Sequence, residues 1–236
     1  MLEERLERSI AILGKEKFDK LVNSSVMIIG VGAVGGYALE MVTRLGIKNI
    51  TVVDFDCFEK SNINRQILAN VDTIGLKKID VAVERINKIN PDAKVKAIDL
   101  KVCADNLEFI LDCKPCFVID AIDDLKAKAG VIEFLLKNEI KFISAMGAAL
   151  KFKPELLKIS TLDKTTNCHL AKKLREMLRK NGVNLKKVEV VFSTEEVHAI
   201  KDSNGNNVLG SLALVPMGMG ALLVSKMFDE IVGGTV

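Results

Sequence analysis

The stretch from Val26 to Gln66, VMIIGVGAVGGYALEMVTRLGIKNITVVDFDCFEKSNINRQ, constrains this chain more than any other. Val26 to Ile29 is an apolar run that reads as a buried strand. Gly30, Gly32 and Gly35 follow at GxGxxG spacing and lead into the helical periodicity of Tyr37 to Leu45. In such a strand-turn-helix unit the first glycine permits the tight turn and the second lets a ligand approach the backbone. The third lets the helix pack closely on the strand, and the helix N-terminus favours a negative charge. The turn alone also fits a nicotinamide or flavin site, or a tight turn that binds nothing.

The next strand, Ile50 to Val53, ends in Asp54, where a carboxylate commonly holds ribose hydroxyls. The sequel narrows the choice. Asp56 is followed by Ser61-Asn62-Ile63-Asn64-Arg65-Gln66 and then by Gly75-Leu76-Lys77-Lys78 at the start of another helix. A dinucleotide site has little use for these cations. A triphosphate attacked at its α-phosphorus does need them, because charge builds on its oxygens and on the departing pyrophosphate. Taken singly, Arg65 and Lys78 would read as solvated surface charge; together, after this turn, they read as phosphate contacts.

The ordered set GxGxxG, Asp54-x-Asp56, Ser61 to Gln66, Gly75-x-x-Lys78 and Asp120-Ala121-Ile122-Asp123 resembles the ThiF/MoeB/HesA superfamily, relatives of the ubiquitin-activating enzymes. The resemblance covers most of the N-terminal two-thirds. It implies ATP as cosubstrate, with Asp54 on the ribose, Arg65 and Lys78 on the phosphates, and Asp123 holding a magnesium ion. It further implies that Asp56, Asn64 and Gln66 line the nucleotide pocket with Gly30, Gly32 and Gly35. Members of the family are usually homodimers in which an arginine from the partner's N-terminal segment reaches the phosphates. Arg5-Leu6-Glu7-Arg8-Ser9-Ile10 resembles that segment, which makes Arg8 the candidate.

The placement of Asp123 also follows from the chain itself. Phe117 to Ile119 is a short apolar strand, and Asp120 and Asp123 stand at its C-terminal end, the edge where open parallel sheets bind ligands. Magnesium takes one or two carboxylates and leaves its other positions to phosphate and water. The competing role is a helix N-cap, which Asp123 or Asp124 could supply to a helix over Leu125 to Lys137.

In the last third, Thr161 to Thr166, then Leu170 to Arg175 with Leu178-Arg179, then Val190 to Glu195, resemble the tRNA threonylcarbamoyladenosine dehydratase branch of the family. That branch implies ATP-dependent activation of the carboxylate of a modified adenosine beside the anticodon, whose side chain then closes into a ring. The alternative is adenylation of the C-terminal Gly-Gly of a ubiquitin-like sulfur carrier, with a sulfur-carrier or cysteine-desulfurase-type partner. An oxidoreductase using NAD, or a nucleotide-bound scaffold without turnover, is a further reading. Between Lys164 and Lys187 eight lysines and arginines stand against Glu176 alone, so a basic helix near 168–181 could follow an RNA backbone. Leu170, Leu174 and Leu178 form an apolar stripe on that helix, so the same charges also fit a solvated outer face.

With 236 residues and 49% hydrophobic content the chain can bury a large core, and a net charge of +3 does not by itself demand nucleic acid. Strands near 26–30, 49–53, 95–99, 116–120 and 141–145 alternate with helices near 33–45, 76–89, 104–112 and 124–137. The expected fold is α/β: a Rossmann-like, doubly wound, mostly parallel sheet. We expect one nucleotide-binding domain over 1–236, with N-terminal helices over 1–22 and a substrate-side extension over 148–236. That extension should carry shorter strands near 155–160 and 188–192 and an exposed turn at Ser203 to Asn207. The apolar run from Val208 to Val224, broken by Gly210, Ser211, Pro216, Gly218 and Gly220, reads as a buried strand and a buried helix beginning near Pro216 rather than a membrane span. A charged, amphipathic start over Met1 to Asp19 points to a cytoplasmic location. Five cysteines, an odd number, argue against a disulfide framework. Cys113 and Cys116 form a lone CxxC, with Cys116 entering a strand, which is short of the four ligands a structural zinc needs. Cys57 lies near the ribose strand. Cys168, beside His169, is a remote candidate nucleophile, and His198 has no evident partner.

Overall fold

Short apolar segments that cannot satisfy their backbone alone must pair, and segments buried on both faces pair in parallel beneath helices. The computed structural model describes residues 2–197, 200–201 and 205–234, so His198 and the Ser203-Asn204 part of the expected turn lie outside the described residues. Strands β1 (Ser25–Ile29), β2 (Asn49–Asp54), β3 (Lys94–Asp99), β4 (Phe117–Asp120) and β5 (Phe142–Ala145) run parallel. Together with β6 (Leu157–Thr161) and β7 (Glu189–Ser193) they make a seven-stranded sheet in the order β3-β2-β1-β4-β5-β7-β6, in which only β6 is antiparallel to its neighbour. The central strands β4 and β5 are buried throughout, whereas edge strand β3 has no fully buried residue and shows Lys94 and Lys96 to solvent. Charge on an edge strand discourages pairing with another sheet.

The helices expected from the 3.6-residue periodicity are present: α1 (Leu2–Leu13), α2 (Lys15–Val22), α3 (Ala33–Arg44), α4 (Lys78–Ile89), α5 (Phe109–Cys113), α6 (Leu125–Lys137), α7 (His169–Lys180) and α8 (Leu214–Val232). Helix α8 crosses α3 so closely that a Cβ on Gly220 would lie 2.8 Å from the Tyr37 Cβ. Leu6, Phe18 and Val22 form a small separate cluster that fastens α1 to α2. After β1 the chain winds outward through β2 and β3, then returns to place β4 on the other side of β1. That reversal opens a crevice at the C-terminal ends of β1 and β4, where open α/β sheets take their ligands.

Three expectations are corrected. Helix 104–112 shrinks to α5, because the Asn106 side chain accepts from the Cys103 N–H and donates to the Lys101 carbonyl, trapping 101–106 as a turn. The run from Val208 does not begin with a buried strand: Val208 ends a two-residue strand β9 (Asn207–Val208) paired with β8 (Ile200–Lys201), and Val208 and Leu209 are exposed. Cys116 precedes β4 and is exposed, its Sγ donating to the Ser25 carbonyl at 3.0 Å. Among the described residues no helix is long and apolar enough to cross a membrane.

Candidate functional site

The glycine turn is built by contact rather than by composition alone. Gly30 has φ 89°, donates its N–H to the Val53 carbonyl at 2.8 Å, and has no room for a Cβ, which would lie 2.9 Å from the Ala121 carbonyl oxygen. A Cβ on Gly35 would lie 1.8 Å from the Gly30 carbonyl oxygen, so α3 can seat on β1 only without one. Gly32 differs, because the nearest atom to an added Cβ is the Gln66 Nε2 at 4.0 Å. The middle glycine therefore faces open space that a ligand can enter. Gln66 is 7% exposed, and its Oε1 is buried without a hydrogen-bond partner among the described residues. An orphaned acceptor costs about 1–3 kcal/mol and favours a ligand that brings a donor.

Asp54 ties this turn to β2. Its Oδ2 accepts the Val31 N–H at 2.7 Å and its Oδ1 accepts the Asp56 N–H at 2.9 Å. A carboxylate has about four acceptor sites, so two remain for ligand hydroxyls.

Lys78 reaches the same edge by a local fold-back. Gly75, at φ 84°, turns the chain so that residues 75–78 pair with 56–58: Gly75 N–H to Phe58 O, Phe58 N–H to Leu76 O, and Lys78 N–H to Asp56 O. The Lys78 ammonium is then buried, 2.7 Å from Asp56 Oδ2 and 5.9 Å from the centre of the Phe58 ring. Burial by itself would raise the Asp56 carboxyl. The Lys78 hydrogen bond and charge, with the Cys57 N–H, outweigh it and leave the group below the ordinary carboxylate value. A carboxyl depressed by folding stabilises the fold above its unfolded pKa and loses that contribution as pH falls through the folded value. Asp56→Asn should therefore lower the melting temperature slightly at neutral pH, since the Asp56 side chain is 53% exposed and its pair is screened by water. The gap to wild type should close as pH falls below about 4, which thermal melts across that range would read.

Arg65 is half-buried. Its Nη1 donates to the Ser61 carbonyl at 2.6 Å and to Asn64 Oδ1 at 2.9 Å, while Nε and Nη2 have no acceptor among the described residues. Asn64 in turn donates to the Ser211 carbonyl at 2.9 Å, which fastens this segment to the chain entering α8.

At the end of β4 the two acidic candidates for the cap of α6 divide. Asp124 takes the N-cap, accepting the Ala127 N–H at 2.8 Å, so Asp123 is left exposed with no hydrogen bond or ion pair among the described residues. Asp120 is fully buried instead. Its Oδ1 accepts the Ile122 N–H, and its Oδ2 accepts from the Lys128 ammonium and the Ser144 hydroxyl, both at 2.6 Å. Lys128, also fully buried, was not among the residues the sequence singled out. The available signal was its place on the apolar stripe shared with Ile132 and Leu135. On α1, Arg5 donates to the Ile89 carbonyl and pairs with Asp92 at 2.6 Å, whereas Arg8 is exposed and has no partner among the described residues.

The last third holds a second unforeseen lysine. Lys151, 2% exposed, donates to the carbonyls of Asn167, Ser193 and Glu195. Burial pushes its ammonium below the usual lysine value, against the smaller opposing pull of Cys168 and Glu195. Cys168 is buried and its Sγ accepts the Ala171 N–H at the start of α7. The five cysteines are free thiols, and the described residues hold no cluster of three or more metal-ligating side chains. On α7 the stripe of Ala171, Leu174 and Leu178 is buried and Arg175 is held by Thr165, which leaves Lys172, Lys173, Arg179 and Lys180 exposed.

Comparison with known proteins places the chain in a family. The sequence profile of the ThiF family matches residues 6–232. The chain is 38% identical over 202 residues to the tRNA threonylcarbamoyladenosine dehydratase of Bacillus subtilis, covering 86% of this chain and 79% of that one. It superposes on the Escherichia coli tRNA N6-threonylcarbamoyladenosine dehydratase, TcdA, in complex with AMP at a TM-score of 0.92, and in complex with ATP at 0.91. Identity is 32% in both cases, and the superposition covers 98% of this chain and 95% of that one. A match that extends from the first helix to the last, over a sheet edge built as described, makes this chain a member of the ThiF family.

Proposed function

We propose that this protein is a tRNA threonylcarbamoyladenosine dehydratase, which uses ATP to activate the carboxylate of the modified adenosine so that its side chain closes into a ring. One observation carries the reading: an open glycine turn, an orphaned amide oxygen and two cations with spare donors share one sheet edge. The full-length likeness to relatives of that name supports it.

In this reading the chain is one domain, and residues 148–236 form its substrate side. The nucleotide lies along the C-terminal edge with its ribose on Asp54. Its phosphates meet the Gly32 turn, Arg65 and Lys78, and Asp56, Asn64 and Gln66 complete the pocket. The substrate carboxylate attacks the α-phosphorus, the bond to pyrophosphate breaks, and the carbamoyl group of the same nucleoside then displaces AMP. No protein base is needed for the first step, since the carboxylate is already ionised and positioning with charge stabilisation can carry it. Magnesium fits Asp123, a hard oxygen donor without a partner among the described residues, and would there neutralise charge on the phosphates. Arg8, without a partner among the described residues while Arg5 is held within its own chain, suits delivery to the site of a second copy in a homodimer. The exposed lysines and Arg179 of α7 suit an RNA backbone.

The test is direct. The protein should be incubated with ATP and tRNA from a strain lacking the cyclic modification, and the nucleosides read by mass spectrometry. The expected product is lighter by one water, with AMP and pyrophosphate released in step. A nucleoside that stays linear would overturn the proposal.

A further inference from the structure

Phe152 presents a large ring to solvent, 52% exposed, on a backbone that is firmly held. Its N–H donates to both carboxylate oxygens of Glu195, at 3.1 and 3.0 Å, and the Lys153 N–H donates to Oε2 at 3.0 Å. The neighbouring Lys151 ammonium grips three carbonyls, those of Asn167, Ser193 and Glu195, at 3.0 to 3.2 Å. Leu150 donates its N–H to the Gly210 carbonyl at 2.9 Å. The Val190 to Glu195 block thus meets the loop that follows Thr166 at the base of Phe152, although neither carries a group of the adenylation site.

Leaving a phenyl ring in water forfeits the stabilisation its burial would bring. Fixing its backbone in advance removes ordering entropy that a ligand would otherwise have to overcome. The ring lines a cavity of about 200 Å³ with Leu150, Lys151, Ile200, Ser211 and Leu212. None of the lining residues is acidic, and the walls are largely apolar. Asn64 connects this cavity to the cation of the phosphate site, because its Nδ2 holds the Ser211 carbonyl while its Oδ1 accepts from Arg65.

We propose that this cavity seats the base of the tRNA nucleoside being modified, with Phe152 as its stacking face and with Glu195 and Lys151 as the positioning residues that hold the ring in place. The inference rests on the tRNA reading above. Bases in RNA loops are recognised by splaying them out and stacking them on aromatic side chains, and every base offers a π-face to such a ring. A base held here is separated from Arg65 by Asn64, which bonds both the cavity wall and that cation.

Steady-state kinetics on wild type, Phe152→Ala, Phe152→Tyr and Phe152→Leu, with tRNA and ATP varied in turn, test it. Phe152→Ala should raise KM for tRNA by about tenfold or more, the cost of losing one base-aromatic stack, with KM for ATP and the melting temperature unchanged. Phe152→Tyr should stay near wild type, and Phe152→Leu should resemble the alanine variant. An unchanged KM for tRNA in Phe152→Ala, while wild type makes the cyclic nucleoside, would overturn the inference and leave the tRNA reading intact. Leucine substituting as well as tyrosine would overturn it too, since volume rather than stacking would then suffice. So would a change in sedimentation mass for Phe152→Ala, which would assign the ring to a contact between copies. Wild type failing to make the cyclic nucleoside would remove the tRNA reading itself.

Discussion

Arg65→Ala and Asp123→Ala should each lower the rate of AMP formation by about 10²–10³, the loss seen when one preorganised group is removed from a charge-building transition state. Neither change should shift the melting temperature by more than about 2 °C, because substitutions that break no buried contact stay within about 0.5 kcal/mol. The argument rests on what each side chain leaves unspent. A guanidinium carries five donors, and among the described residues only Nη1 of Arg65 is engaged, so the Nε and Nη2 donors are left for a ligand. Asp123 has no partner among the described residues, since Asp124 already caps α6. Side chains so lightly used by the fold can be removed without disturbing it. Lys78→Ala is a poorer probe, because it also strips the buried partner from Asp56. Arg65→Lys should retain part of the rate, since it keeps the charge but not the planar fork. Initial rates of AMP release, measured beside thermal melts, decide the matter, and wild-type turnover in either alanine variant would remove that residue from the phosphate site.

The glycine turn and its surroundings could be read from the sequence because their chemistry is local. The apolar run Val26 to Ile29, the glycine spacing, and the acid closing the next strand each declare themselves within a few residues, and all form direct contacts in the fold. Gly75 and Lys78 were legible as a pair for a reason visible only in three dimensions, the fold-back onto residues 56–58. What escaped depended on long-range partners or on side chains competing with the backbone. Asn106 delays the start of a helix that periodicity would begin at 104, and Val208 stands exposed in a two-residue strand paired with β8. The blocks around Thr161 and Glu195 gave a resemblance without a mechanism. Their meeting point, the Lys151 ammonium, joins residues up to 44 positions apart.

Lys128 is the clearest case of a residue whose sequence character misleads, and it carries the largest stability prediction. A lysine within a helix is ordinarily a solvated charge, yet this one is 0% exposed and paired with an Asp120 that is also 0% exposed. Desolvating two charges costs several kcal/mol per ion, and attraction offsets this only where further hydrogen bonds satisfy the pair. Here Ser144 Oγ lies 3.0 Å from Lys128 and 2.6 Å from Asp120, and the Ile122 N–H completes the Asp120 shell. The network joins β4, β5 and α6 directly below Ala121, whose carbonyl backs the Gly30 turn. Lys128→Met, close in length but without the charge, should destabilise the fold by about 3–5 kcal/mol, because Asp120 would remain as an uncompensated buried carboxylate. For a chain of this size that corresponds to a fall of roughly 6–20 °C in melting temperature. Adding Asp120→Asn removes the stranded charge and lets the amide keep its contacts to Ser144 and Ile122, so the double variant should recover most of the loss. Equilibrium urea unfolding of wild type, the single variant and the double variant measures this. A double variant no more stable than Lys128→Met would mean that lost packing around the lysine stem, rather than the stranded charge, sets the cost.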